Sequence, residues 1–302
     1  MDEEARYPVP EKRFADGRLL VVAFEGWNDA GEAASNAVRA LKDHLDVYPV
    51  AEVDPEDYFD FQFSRPVTTT DDEGRRILIW PGVTLYGPTA PNSGDDSRFH
   101  LLLGTEPSRS WRAFSAEILG HVRELDITGI VFLGSMLADV PHTRPISVFA
   151  SSDDDAVREE LGLERSLYEG PVGILSALSV AAQEAGIQTM SIWASVPHYV
   201  HNAPSPKATL ALLDKLEDML GIDVPRAQLA EEASAWEAGV DQLAGEDEEM
   251  AAYIEQLEQA RDTVDAPEAS GEAIAQEFER YLRRQDRRNG RGGDEPWRGP
   301  RD

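Results

Sequence analysis

The sequence contains no cysteine. Disulfides, thiolate nucleophiles, cysteine-ligated zinc and iron–sulfur clusters are thereby excluded, and the absence fits a reducing cytoplasm. No run of roughly 18 apolar residues occurs, so no membrane-spanning helix is expected. Positive charge is scarce: 28 Lys and Arg face 57 Asp and Glu, a formal net charge of −29. Such a surface repels phosphate backbones, so no nucleic-acid partner is expected. The opening MDEEARYPVPEKRF is acidic and lacks the apolar core of a signal peptide. Cytoplasmic residence follows as the expectation. GxGxxG, the P-loop, HExxH and G-x-S-x-G are all missing as well.

What is present is organised around residues 19–45, LLVVAFEGWNDAGEAASNAVRALKDHL. The apolar run 19–24 predicts a strand buried on both faces. Ala30, Ala33, Ala34, Ala37, Val38, Leu41 and Leu45 then recur at helical spacing, with Glu32, Asn36, Arg39 and Asp43 opposite. Asn28 or Asp29 stands where it can cap that helix, worth about 1 kcal/mol. Strand, tight loop and helix form the unit at whose turn α/β folds place ligands or partners.

Further along, strands are expected at residues 75–80, 99–103, 127–133, 146–150 and 189–194. Helices are expected at 110–125, 153–161, 174–185 and 206–220, and residues 46–63 read as an ordered, partly apolar connection. This alternation predicts an α/β layer fold with a largely parallel sheet. After Pro225 no strand pattern remains. Leu229, Ala233, Trp236, Val240 and Leu243 make one helical stripe, Met250, Ile254, Leu257 and Arg261 a second, and Ile274, Phe278 and Leu282 a third. The expected organisation is a flexible segment over 1–17, an α/β core over 18–222, an all-helical appendage over 225–283 and a disordered basic tail over 284–302.

The candidate site residues lie in loops that follow strands: Glu25, Trp27, Asp29, Glu106, Asp139, His142, Arg144 and His198. A phosphate at the first loop is disfavoured, because Glu25, Asp29 and Glu32 are acidic and the glycine spacing is wrong. His198-x-x-His201 has a metal-like spacing, but no carboxylate stands at a diagnostic distance, so packed loop histidines are favoured and no metal or other cofactor is expected. Ser135, in what reads as a loop after a strand, lacks a nucleophile elbow. Trp27 in a tight turn either packs on a neighbour or makes an interface. The basic cluster Arg283, Arg284, Arg287, Arg288 and Arg291 reads as a solvated helix end.

Several stretches together resemble the proteasome assembly chaperone 2 family in its longer, actinobacterial form. They are Phe24-Glu25-Gly26-Trp27-Asn28-Asp29-Ala30-Gly31, Leu103-Gly104-Thr105-Glu106-Pro107, Leu137-Ala138-Asp139-Val140-Pro141-His142-Thr143-Arg144-Pro145, Gly170-Pro171-Val172-Gly173-Ile174 and Val196-Pro197-His198-Tyr199. The resemblance covers about residues 18–220 and implies a three-layer α/β/α fold with a largely parallel or mixed central sheet, homo- or hetero-oligomers and a chaperone-like role, with proteasome subunits as partners. Relatives in that family dock through a C-terminal hydrophobic–Tyr–any tail, and this sequence closes Trp297-Arg298-Gly299-Pro300-Arg301-Asp302 instead. The family supplies no catalytic residues to carry over. The expected function is therefore a non-enzymatic, oligomeric protein-binding protein linked to proteasome assembly. The rival is a small-molecule hydrolase or ATP-dependent ligase-like enzyme that uses the strand-end loops.

Overall fold

A computed structural model describes residues 13–90 and 94–264. In chain order the elements are β1 (Leu19–Glu25), α1 (Ala33–His44), β2 (Val47–Glu52), the single turn α2 (Pro55–Tyr58), β3 (Val67–Thr70), β4 (Arg76–Ile79), β5 (Val83–Pro88), β6 (Phe99–Thr105), α3 (Trp111–Glu124), β7 (Gly129–Ala138), β8 (Val148–Ser151), α4 (Asp155–Leu161), α5 (Ile174–Glu184), β9 (Gln188–Pro197), α6 (Pro206–Leu220), α7 (Ala227–Gly245) and α8 (Glu248–Val264). Seven strands form one mixed sheet in the order β2-β5-β6-β1-β7-β9-β8. β6, β1, β7 and β9 are mutually parallel, while β5, β2 and β8 run antiparallel to their neighbours.

β1 lies at the centre because both of its faces are apolar. Leu19, Val21 and Ala23 point to the side covered by α1 and α6, where Val38, Leu41, Leu212 and Leu216 meet them. Leu20, Val22 and Phe24 point the other way, to Phe114 and Ile118 of α3 and Leu178 and Ala182 of α5. Alternation along the strand thus builds two cores from one run of residues. Each fully buried Leu, Val or Phe side chain contributes on the order of 1.5–3 kcal/mol. The result is the three-layer α/β/α arrangement. α7 packs on α6 and α8 on α7, with Ala233, Val240, Ile254 and Leu257 buried.

The structure departs from the sequence-based expectations in several places. Residues 46–63 include a sheet strand, β2, which is hidden in the sequence by Pro49 and by a register shift at Pro49/Ala51. Such irregularity is tolerated because β2 is an edge strand. β5 also went unpredicted. The predicted strand at 75–80 exists as β4, but it pairs with β3 in a separate two-stranded sheet. Gly134-Ser135-Met136 is not a loop. It continues β7, where Ser135 is fully buried. The expected flexible lead-in stops short of residue 17, because Phe14 is buried and its N–H donates to Glu160 Oε2 at 2.7 Å. The expected third C-terminal helix and basic tail, and residues 1–12, lie outside the described residues.

β5 starts opposite Gly104 of β6, its antiparallel neighbour, so closely that a Cβ on Gly104 would stand 2.1 Å from the Gly82 carbonyl oxygen and 2.6 Å from Val83 Cα. Both obstacles are backbone, which cannot rotate away. Gly104→Ala should therefore destabilise by about 1–3 kcal/mol. The check is a lowered urea midpoint with an unchanged slope.

Candidate functional site

The four parallel strands end at the same edge of the sheet, at Glu25, Thr105, Ala138 and Pro197. All eight candidate residues sit at or just beyond those ends. They do not form one constellation. They divide between the β1/β6 side and the β7/β9 side, and each group is engaged with the protein itself.

On the β1/β6 side, Asp29 Oδ1 accepts from the N–H groups of Ala34 and Ser35 at 2.8 and 3.1 Å. It thereby caps α1 from across a short turn at Ala30–Glu32, as the loop chemistry predicts. Asp29 is only 7% exposed, and burial raises its carboxyl above the ordinary 3.8 against the opposing hydrogen bonds from Ser35 and Ala34. Ser135 ties the loop down: its N–H donates to Asn28 O and its hydroxyl to Ala30 O, both at 2.8 Å. The Ser135 hydroxyl is thus engaged with a main-chain carbonyl. Glu25 pairs with Arg39 of α1.

Glu106 bridges two loops. Its Oε1 accepts from Ile174 N–H at 2.8 Å and its Oε2 from Trp27 N–H at 3.3 Å. Ile174 opens α5, so the carboxylate also faces the positive end of that helix. The loop approaches closely at Gly173: a Cβ there would stand 2.1 Å from Asn28 Nδ2 and 2.8 Å from Glu106 Oε1, so both side-chain ends would have to shift to admit one. Gly170-Pro171-Val172-Gly173 is therefore the third wall of this corner. Trp27 itself is 58% exposed and does not enter the core.

On the β7/β9 side, the groups face α7 and α8. The His142 ring is buried, with Nε2 2.9 Å from Asp241 Oδ1 and Nδ1 2.9 Å from the Tyr199 hydroxyl. His142 N–H also donates to that hydroxyl oxygen at 2.7 Å. A neutral ring satisfies all three contacts when Nε2–H donates to Asp241 and the Tyr199 O–H donates to Nδ1. Burial pushes the Tyr199 phenol up, which keeps that proton in place. Arg144 donates from Nε and Nη2 to the two carboxylate oxygens of Asp262, each at 2.8 Å, and reaches Glu258 at 3.4 Å. The bidentate fork fixes orientation as well as charge. Asp139 accepts from Tyr253 O–H at 3.3 Å, and His198 Nδ1 stands 3.4 Å from the same carboxylate without hydrogen-bond alignment. Lys207 donates to His142 O at 2.6 Å and pairs with Glu237.

The sequence reading missed the partners on the appendage, namely Glu237, Asp241, Tyr253, Glu258 and Asp262. A signal was available: Glu258 and Asp262 lie four residues apart, flanking the buried Ile254 and Leu257. Asn28 and Gly173 were also undervalued. Among the described residues, no group of three or more His, Asp or Glu side chains is arranged to hold a metal, and no helix is long and apolar enough to cross a membrane. His201, the second half of the metal-like spacing, turns its Nδ1 to His198 O at 2.8 Å. A groove of about 570 Å³ lies apart from these loops, between α1, α6 and the start of α7.

The molecule is thus a three-layer α/β/α protein whose strand-end loops are engaged in its own turns and its own helical extension. The PAC2 family model matches residues 23–244, and the chain belongs to that family. A PAC2 family protein from Streptomyces avermitilis is 44% identical, with 78% of this chain and 99% of that one covered and a TM-score of 0.70. A proteasome-assembly chaperone homologue from Mycobacterium tuberculosis is 42% identical over 78% of this chain and 99% of that one, with a TM-score of 0.69. An archaeal homologue of proteasome-assembly chaperone from Pyrococcus furiosus shares the fold at 18% identity, covering 82% and 96% of the two chains, with a TM-score of 0.53. No curated protein matches the chain.

Two variants separate capping from charge at Asp29. Because its folded carboxyl titrates above 3.8, it contributes stability that is full below that unfolded value and lost as pH rises through the raised one. Asp29→Asn keeps the Oδ1 acceptor and removes the charge, so at neutral pH it should be at least as stable as the parent. Asp29→Ala should lose about 1 kcal/mol. Urea midpoints between pH 4 and pH 7 are the measurement, and equal losses for the two variants would refute the capping role. For the second group, Arg144→Glu sets like charges against Glu258 and Asp262. Amide-exchange protection in α8 should fall about tenfold, while protection in β1 and β7 is retained.

Proposed function

We propose that this chain is a non-enzymatic protein-binding factor of the cytoplasm, oligomeric and chaperone-like, that acts in connection with proteasome assembly. The observation that carries the reading is the occupation of the strand-end edge, where α/β folds ordinarily hold small molecules. There the carboxylates of Asp29 and Glu106 accept backbone N–H groups. His142 and Arg144, in turn, hold Asp241, Glu258 and Asp262 of the appendage. A hydrolase or ligase would need such groups turned toward a common reacting atom, with a base within hydrogen-bond reach of a nucleophile. The Ser135 hydroxyl, three residues before the end of β7, donates instead to a backbone carbonyl. The M. tuberculosis relative, named a proteasome-assembly chaperone homologue, supports the partner class.

The test is a pull-down with the full chain as bait and purified proteasome α-subunits as prey, against a control of matched length and negative charge. Enrichment over that control is expected. Equal recovery of both would sink the proteasome connection, while a substrate turned over by the purified chain would sink the non-enzymatic part.

A further inference from the structure

α8 meets the strand ends through polar groups. Of its described side chains, Ile254 and Leu257 are buried, and neither belongs to the two cores that flank the sheet. What α8 turns to the ends of β7 and β9 is one phenol and two carboxylates. Tyr253 O–H donates to Asp139, and its ring stands edge-on to His198 and Tyr199 at centroid separations of 5.6 and 6.3 Å. Further along the same helix, Glu258 accepts from the Thr143 hydroxyl and Asp262 takes the Arg144 fork. The fit at the aromatic end is imperfect. An O–H···O bond is best at roughly 2.7–2.8 Å, and Tyr253 reaches Asp139 at 3.3 Å. His198 Nδ1 is buried without a hydrogen-bond partner, 3.4 Å from the same carboxylate. A helix of this length is marginal on its own, and elements with few buried apolar contacts open first.

Charge selects what else fits there. The chain as a whole carries −29, yet the surface under α8 presents Arg144, with Lys207 and His142 beside it under α7. α8 itself carries Glu248, Glu249, Glu255, Glu258 and Asp262 against Arg261. An acidic helix is complementary to that surface, whereas a basic one would be repelled by Arg144. We infer that the ends of β7 and β9 are a docking site for an acidic amphipathic helix of a partner protein, and that α8 occupies this site as an exchangeable resident. The inference rests on the protein-binding part of the function proposed above and names its surface and the chemistry of its partner.

The resident defines the pattern the partner must present. It is a phenol, an apolar pair on the adjoining stripe and two carboxylates one turn apart, as in Tyr253, Ile254, Leu257, Glu258 and Asp262. α8 is tethered to α7 through Glu246 and Asp247 alone, so its effective concentration at the site is on the order of millimolar. A free helix therefore meets a site that is open only a fraction of the time, and its apparent affinity falls by that fraction. Weakening the resident raises the affinity of the competitor without adding any contact to it.

The probe is a fluorescent peptide of residues 248–264, EEMAAYIEQLEQARDTV, titrated with the full chain and read by anisotropy. Glu258→Lys combined with Asp262→Lys turns α8 away from Arg144 and leaves the site itself intact. The probe should bind this double variant at least about tenfold tighter than the parent. Arg144→Glu also loosens α8 but removes the fork that holds the carboxylates, so it should bind the probe no tighter than the parent does. Retained amide-exchange protection in β1 and β7 verifies the fold of both variants. A double variant that gains no affinity, an equal gain in Arg144→Glu, or equal binding of a polyglutamate of the same length overturns the docking site. None of these outcomes bears on the proteasome pull-down, which reads recovery of α-subunits by the parent chain.

Discussion

The bifurcated grip of Glu106 is the contact on which the β1/β6 half of the sheet edge depends. One carboxylate accepts from the N–H that opens α5 and from an N–H in the loop after β1. Those donors lie in segments far apart in sequence, and neither has a helix or sheet partner to fall back on. A helix start leaves N–H groups unsatisfied by construction, and leaving one buried and unpaired costs about 1–3 kcal/mol. Glu106 therefore joins β6, the β1 loop and α5 into one corner. A Cβ at Gly173 would displace the Asn28 amide and the Glu106 carboxylate from these positions. Asp29 repeats the same solution one loop away, at α1. Asp29 and Glu106, two of the acidic residues that resemble catalytic carboxylates in sequence, accept from backbone donors.

On the β7/β9 half the same edge is closed by side chains. His142, Arg144, Asp139 and Lys207 meet Asp241, Glu258, Asp262, Tyr253 and Glu237 of α7 and α8. The loop Asp139-Val140-Pro141-His142-Thr143-Arg144-Pro145 is held as a docking platform, its prolines limiting the conformations available to the residues between them. A crevice at the carboxyl ends of parallel strands is thus covered by the chain's own appendage. That explains why residues grouped in sequence as one candidate cluster serve two unrelated structural ends.

Much of this was legible beforehand, for identifiable reasons. The double apolar face of residues 19–24 placed β1 correctly, because a strand buried on both sides has no polar alternation to confuse it. The capping role at Asn28-Asp29 was readable because Asp before a helical stripe has one common use. β2 and β5 were not readable: Pro49 and the register shift beside it break the pattern that would reveal β2. Ser135 was misplaced because a glycine after the apolar run Ile130-Val131-Phe132-Leu133 looks like a strand end, when here Gly134 makes room for the Trp193 ring, which a Cβ would meet at 2.6 Å. The division of the candidate site depended on tertiary pairing with α7 and α8, to which local spacing gives no access.

The appendage also shows how different forces divide the work of holding one element. Its ion pairs are partly exposed: the Arg144 and Asp262 side chains keep 31 and 54% of their surface in water. Pairs of that kind contribute about 0–1 kcal/mol each and weaken with salt. They are too weak to hold two helices against the entropy of ordering them. Ala233, Val240, Ile254 and Leu257, all buried, supply the non-directional part: burying the stripe sets which face turns inward but leaves the exact angle and register loose. The bidentate Arg144–Asp262 fork and the His142–Asp241 contact remove that freedom, since each is satisfied at one angle only. Strength therefore comes from the apolar stripe that the sequence displays, and orientation from the charged residues that it displays as an undifferentiated acidic face.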